Sequence, residues 1–250
     1  MCKFAMYVSN RQVAGYMGLF LTLFFLLSSS FAFEVNTTKT LAPVDVHGVV
    51  GSFQARYKDL LRGVETFDKK NFSSPESEIS FFVSDASVKG AVPPLEIKFE
   101  TRDSFYDVHV DEAEFFALPD PRYIDFKDSA MLANRVKGTV EVHPIVRTPA
   151  DGAMITHLRD LRLECEVSWA IQKSAVPLYI RSAFFTAGRV CHSKHIAVSF
   201  YSPKPLVSAA MRSGQRIEVF RAGRDGHSYW IPVYDKTWPD DAVIEFKYLD

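Results

Sequence analysis

Cysteine is scarce in this chain, with three in 250 residues. No second close cysteine pair accompanies Cys191-His192-Ser193-Lys194-His195, so that cluster with Cys165 lacks the spacing of a structural zinc site. Recognisable catalytic phrases are missing as well. There is no Gly-x-Ser-x-Gly, which excludes a nucleophile elbow. Nor is there a His-Glu-x-x-His, a phosphate-cradling Gly-rich loop or a dinucleotide fingerprint. Charge of one sign does not dominate, since 29 Lys and Arg stand against 30 Asp and Glu, and nothing recommends a nucleic-acid partner. Long runs of helical periodicity are also few. What is present instead is abundant Phe and short alternating runs of β-branched residues, which predict a mostly-β fold.

Charge is missing most completely at the start, where Lys3 and Arg11 are the only charged residues among the first 33. An uncharged Leu/Phe-rich block covers residues 13–27, followed by Ser28-Ser29-Ser30-Phe31-Ala32. A basic segment, an apolar segment and a small-residue exit form the pattern of a secretory signal peptide, with cleavage expected after Ala32. The same block kept uncleaved would be an anchor, because residues 12–33 are about long enough to span a bilayer. Either way the body is expected outside, in the periplasm or secreted. No cysteine lies just after the block, which disfavours a lipoprotein.

Export gives the cysteines meaning. Cys2 would leave with the leader, and Cys165 with Cys191 would remain as an even pair in an oxidising setting, which predicts a disulfide. Closing a loop of that length stabilises by about 3 kcal/mol in the chain-entropy model. Residues 161–169 alternate strictly, with Leu161, Leu163, Cys165, Val167 and Trp169 on one side, so a strand with a buried Cys165 is expected.

The remaining 218 residues suffice for one large domain or two small ones. Residues 33–75 form an extension, with a helix expected over 47–67 because Val50, Phe53, Tyr57, Leu60, Leu61 and Val64 recur at spacings of three and four. Strands are expected at 79–83, 95–100, 105–110, 114–118 and 136–146, with a helix-compatible piece at 129–134. Thr148-Pro149-Ala150-Asp151-Gly152 reads as a boundary between a β-sandwich at 76–148 and a disulfide-bonded β domain at 153–250. Further strands are expected at 195–201, 216–221, 229–234 and 242–248. The expected architecture is thus two small sandwich-like antiparallel β domains.

Two segments carry a resemblance. Residues 79–119, ending in Phe115-Phe116-Ala117-Leu118-Pro119, resemble a carboxypeptidase regulatory-like (transthyretin-like) β-sandwich, although Asp111-Glu112-Ala113-Glu114 stands where that family has an Asp-Gly turn. The phrase at 160–167 and Trp238-Pro239-Asp240-Asp241 resemble uncharacterised exported proteins of Gram-negative bacteria that carry such a domain. The resemblance implies a periplasmic or cell-surface sandwich with no inherited catalytic residues.

Two constellations could carry chemistry. In Asp107-Val108-His109-Val110-Asp111, strand alternation puts Asp107, His109 and Asp111 on one face, where they would hold a divalent metal if a twist or bulge drew them together. The alternative is the solvated face of an antiparallel strand. In the turn Ala222-Gly223-Arg224-Asp225-Gly226-His227, Asp225-Gly226 predicts a hairpin. Arg221, Arg224 and His227 would be placed there to grip an anion, with Trp230 beside them to stack on a ligand. The expected function is a non-catalytic binding or structural module. Its runner-up readings are a metal-assisted hydrolase centred on Asp107, His109 and Asp111, and a membrane-anchored envelope component. No cofactor is expected. Another envelope protein or a surface glycan fits as partner, and a membrane only if the leader is retained.

Overall fold

The computed structural model describes residues 5–6, 52–85, 93–121, 129–136, 139–149 and 154–249. The described residues belong to one compact unit, and the protein is mostly β, with strand residues outnumbering helical ones. The expected leader block and the first residues of the predicted 47–67 helix lie outside the described residues. A two-residue strand β1 (Ala5–Met6) pairs antiparallel with β10 (Ile196–Ala197).

In the first half, β2 (Ser52–Arg56) runs directly into helix α1 (Tyr57–Lys70). Two antiparallel sheets follow from β3 (Glu78–Asp85), β4 (Ile97–Glu100), β5 (Phe105–Val108), β6 (Phe115–Phe116), β7 (Ala130–Ala133) and β8 (Val140–Arg147). One has the order β2-β7-β4-β5 and the other β6-β3-β8. Alternation decides which side chains enter the core: Ile97 and Phe99 from β4, Met131 from β7, and Phe81 and Val83 from β3 share one cluster with Tyr57 and Leu60 of α1. Strands form at β3, β4 and β5 as expected, but only β4 buries alternate residues. Strand β3 buries Phe81, Phe82 and Val83 in succession, and β5 ends at Val108, short of the expected 110.

In the second half, β9 (Ile155–His157) leads into α2 (Leu158–Gln172), then α3 (Leu178–Thr186), a 3-10 turn at Val190–His192, and β10. Strands β11 (Ser199–Tyr201), β12 (Leu206–Ser213), β13 (Arg216–Arg221), β14 (Ser228–Trp230) and β15 (Val243–Tyr248) complete the chain. The antiparallel sheet β13-β12-β15-β9 packs Ala209, Met211, Ile244 and Phe246 on Leu158, Leu161 and Cys165 of α2.

Three expectations change. The strand predicted at 161–169 is helix α2. Period two assigned Glu164 and Ser168 to solvent, yet both are buried, and the helix is covered on two sides. Leu158, Leu161 and Cys165 face one core, while Leu163 and Val167 face Phe67 of α1 and Val146 of β8. A helix buried on two sides shows no single apolar stripe, so its period is masked. The 47–67 helix begins only at Tyr57, because the preceding residues pair with β7. The helix-compatible piece at 129–134 is strand β7, inserted between β2 and β4.

Candidate functional site

The disulfide joins Cys165 and Cys191, with Cα atoms 5.9 Å apart. Cys165 is buried as expected, on a helix rather than a strand. The bond fixes the turn Val190–His192 against the middle of α2.

Asp107, His109 and Asp111 are all exposed, and each is engaged separately or left to solvent. Asp107 pairs with Lys98 across the β4–β5 ladder at 3.0 Å. Asp111 Oδ1 accepts the Ala113 and Phe115 amides at 2.9 and 2.8 Å, closing the turn into β6. Strand geometry does not draw the three together. Among the described residues, no group of three or more His, Cys, Asp or Glu is placed to hold a metal ion.

The turn after β13 forms, but it connects two sheets rather than closing one ladder, since β14 pairs with β11. Asp225 is its pin. Burial would raise the Asp225 carboxyl, but hydrogen bonds from the Ser228 and His227 amides and the Ser228 hydroxyl hold it below the usual carboxylate range. His227 turns inward, Nδ1 lying 2.9 Å from the Ser202 carbonyl and the ring parallel to Tyr201. Tyr201 in turn stacks on His143, with centroids 4.1 Å apart. Arg221, Arg224 and the partly exposed Trp230 remain on the surface, and Trp230 meets Phe220 edge-on. His227 is thus engaged with Ser202 and Tyr201, while Arg221 and Arg224 are exposed.

A different place gathers convergent charge. The end of α1, the outward stripe of α2, the turn Val190–His192 and the loop before β15 enclose a cleft of about 350 Å³. Its floor is Arg159, Arg162, Leu163 and Glu166, spaced i, i+3, i+4 and i+7 on α2. Lys70, Phe72, Cys191, His192, Lys236 and Asp240 form the walls. Four Lys and Arg thus face two carboxylates, an excess of two positive charges before His192 is counted.

The charges are unequally committed. Glu166 is shared by Lys70, at 2.9 Å, and His192 Nε2, at 2.8 Å. Arg162 is structural: it pairs with Asp240 and donates to the carbonyls of Val233, Asp235 and Trp238, tying down the 233–240 loop. Arg159 differs. Its Nε is buried without a hydrogen-bond partner among the described residues, and its ion pair to Asp160 Oδ1 is long, at 3.9 Å. Asp160 has its own company, accepting from Ser77 Oγ at 2.6 Å and from Ser74 Oγ and Thr148 Oγ1 at 3.1 Å. Lys236 is exposed at the rim. Arg159 and Lys236 are therefore the cations with donors to offer a ligand, and Phe72, 82% exposed, gives the rim an apolar side.

The cleft is hidden in the sequence because its floor alternates like a strand over residues 161–169. On a helix, the spacing of Arg159, Arg162 and Glu166 would have exposed the stripe. Comparison of the chain with protein-family models, curated protein sequences and solved structures finds no match.

Proposed function

We propose that this is an exported, disulfide-bonded binding protein that takes a small anionic ligand in the cleft on α2. The observation that carries the reading is Arg159, which lines the cleft with 28% of its side chain exposed and only a long ion pair to Asp160 among the described residues, where cations outnumber carboxylates. An anion in the cleft gains a charge-assisted hydrogen bond from the exposed part of that guanidinium. The cleft is at the small end of the ligand-site range, suited to a phosphate, sulfate or carboxylate headgroup with a modest apolar part against Phe72.

Export is supported by the charge-poor leader pattern and by the Cys165–Cys191 bond, which belongs to an oxidising compartment. Removal after Ala32 takes with it the two-residue pairing to β10.

The test is thermal unfolding with three probes of matched size: phenyl phosphate, benzyl alcohol and benzylamine. Phenyl phosphate alone raises Tm, and the rise shrinks with added salt. Equal shifts with benzyl alcohol, or no shift with any probe, contradict an anion site. N-terminal sequencing of the exported protein is expected to begin at Phe33. An intact Met1 contradicts cleavage.

A further inference from the structure

We infer that α3 is an in-plane docking element for an anionic lipid surface, separate from the cleft. Its nine residues bury only Phe184 fully, with Ile180 packed at the edge of the core. Leu178, Tyr179 and Phe185 are 69%, 74% and 71% exposed. Positions 178, 182 and 185 follow one another at four and three residues, and 179 and 186 lie beside them, so these side chains share one face. Three large apolar groups on one short helix form a patch that a soluble surface does not ordinarily keep.

Charge says what covers it. From residue 167 to 217 the chain has no Asp or Glu, against seven Lys and Arg. Arg181 lies on the flank of α3. Arg189 follows its end, with its amide bonded to the Phe184 carbonyl at 3.0 Å. Ser193 Oγ bonds the Ala187 carbonyl, which sets the exposed Lys194 at the same end. An apolar face on a segment that carries cations and no carboxylates of its own complements a bilayer surface of anionic headgroups. A protein partner would look for directional polar groups, yet Thr186 Oγ1 is turned back on the Ser182 carbonyl at 3.0 Å. Fluid lipid needs none.

The experiment is sedimentation of the full chain with vesicles of pure phosphatidylcholine and of phosphatidylcholine with one third phosphatidylglycerol. The difference between the two vesicles isolates the contribution of the basic rim from any binding by the apolar N-terminal block. Wild type partitions more strongly to the anionic vesicles, and high salt removes the difference. Arg189→Gln/Lys194→Gln weakens that partition about 30-fold, at the usual contribution of a cation near an anionic surface. Leu178→Ser/Phe185→Ser weakens it at least about tenfold. Both variants change only exposed side chains, and unchanged Tm verifies their folding.

Equal partition to both vesicles, or anionic binding untouched by either variant, overturns the inference. So does a concentration-dependent oligomer abolished by Leu178→Ser/Phe185→Ser in vesicle-free buffer, which would assign the face to a second copy. Strong hydrogen-exchange protection of α3 without vesicles would assign it to another segment of the chain, with the same consequence.

Discussion

Glu164 and Arg147 join the two halves of the chain through one buried charge pair. Glu164 Oε2 accepts from Arg147 Nη1 at 2.8 Å and from the Val146 amide at 3.0 Å, while Arg147 Nη2 reaches Tyr229 at 3.4 Å. Burial pushes the Glu164 carboxyl above its ordinary range against the pull of Arg147, so the pair holds only while both members stay. Arg147→Met strands that carboxyl and lowers stability by about 3 kcal/mol, at the low end for a broken buried pair because the Arg147 side chain keeps 23% exposure. Arg147→Met/Glu164→Leu recovers part of the loss, and urea unfolding of the three proteins measures both steps. His143 supplies the pH dependence. Burial holds its imidazole down to about 3, with Nε2 2.8 Å from Ser84 Oγ. The unfolded chain binds this proton near pH 6.5 and the folded chain does not. Stability is therefore full above about pH 6.5 and falls by up to about 1.4 kcal/mol per pH unit toward pH 3. His143→Gln flattens that slope in denaturant titrations between pH 4 and 7.

Among the elements, α2 is the one on which both halves depend. Gly63 of α1 lets it approach: a Cβ there would lie 2.7 Å from Ile171 Cγ1 and Cδ1 and 3.3 Å from Val167 Cγ1. Gly63→Leu forces the α1–α2 pair apart and costs about 1–3 kcal/mol, read by urea unfolding. The disulfide adds a second tie, spanning 26 residues from α2 to the turn Val190–His192. Cys165→Ala/Cys191→Ala loses about 3 kcal/mol and frees His192 from its fixed place beside Glu166. Elements with one wet face were legible in sequence: β4 shows Lys98 and Glu100 outward and Ile97 and Phe99 inward, and the alternation of 242–248 became β15. Elements covered on both faces were not. In α2 the polar residues are buried in pairs, so polarity ceased to report exposure. Strand β12 has one exposed face, but its buried Ala209 and outward Ser208 and Ala210 are all small, so its alternation gave little contrast to read.

For the molecule as a whole, balanced net charge conceals an uneven distribution. Acidic residues are absent from 167–217, where α3 lies, and cations outnumber carboxylates in the cleft on α2. The disulfide partners were legible because only Cys165 and Cys191 lie outside the expected leader. The cleft was not, since Lys70, Arg159, Cys191 and Lys236 meet only through the packing of α1 on α2 and the Arg162-held loop. The candidate arginines lie exposed instead, Arg221 at the end of β13 and Arg224 in the turn after it. Calorimetric titration of phenyl phosphate separates these two places directly. The account predicts that Arg159→Gln/Lys236→Gln weakens binding about tenfold or more, the worth of a charge-assisted hydrogen bond, while Arg221→Gln/Arg224→Gln leaves it unchanged. Binding lost in the second variant and kept in the first would contradict it.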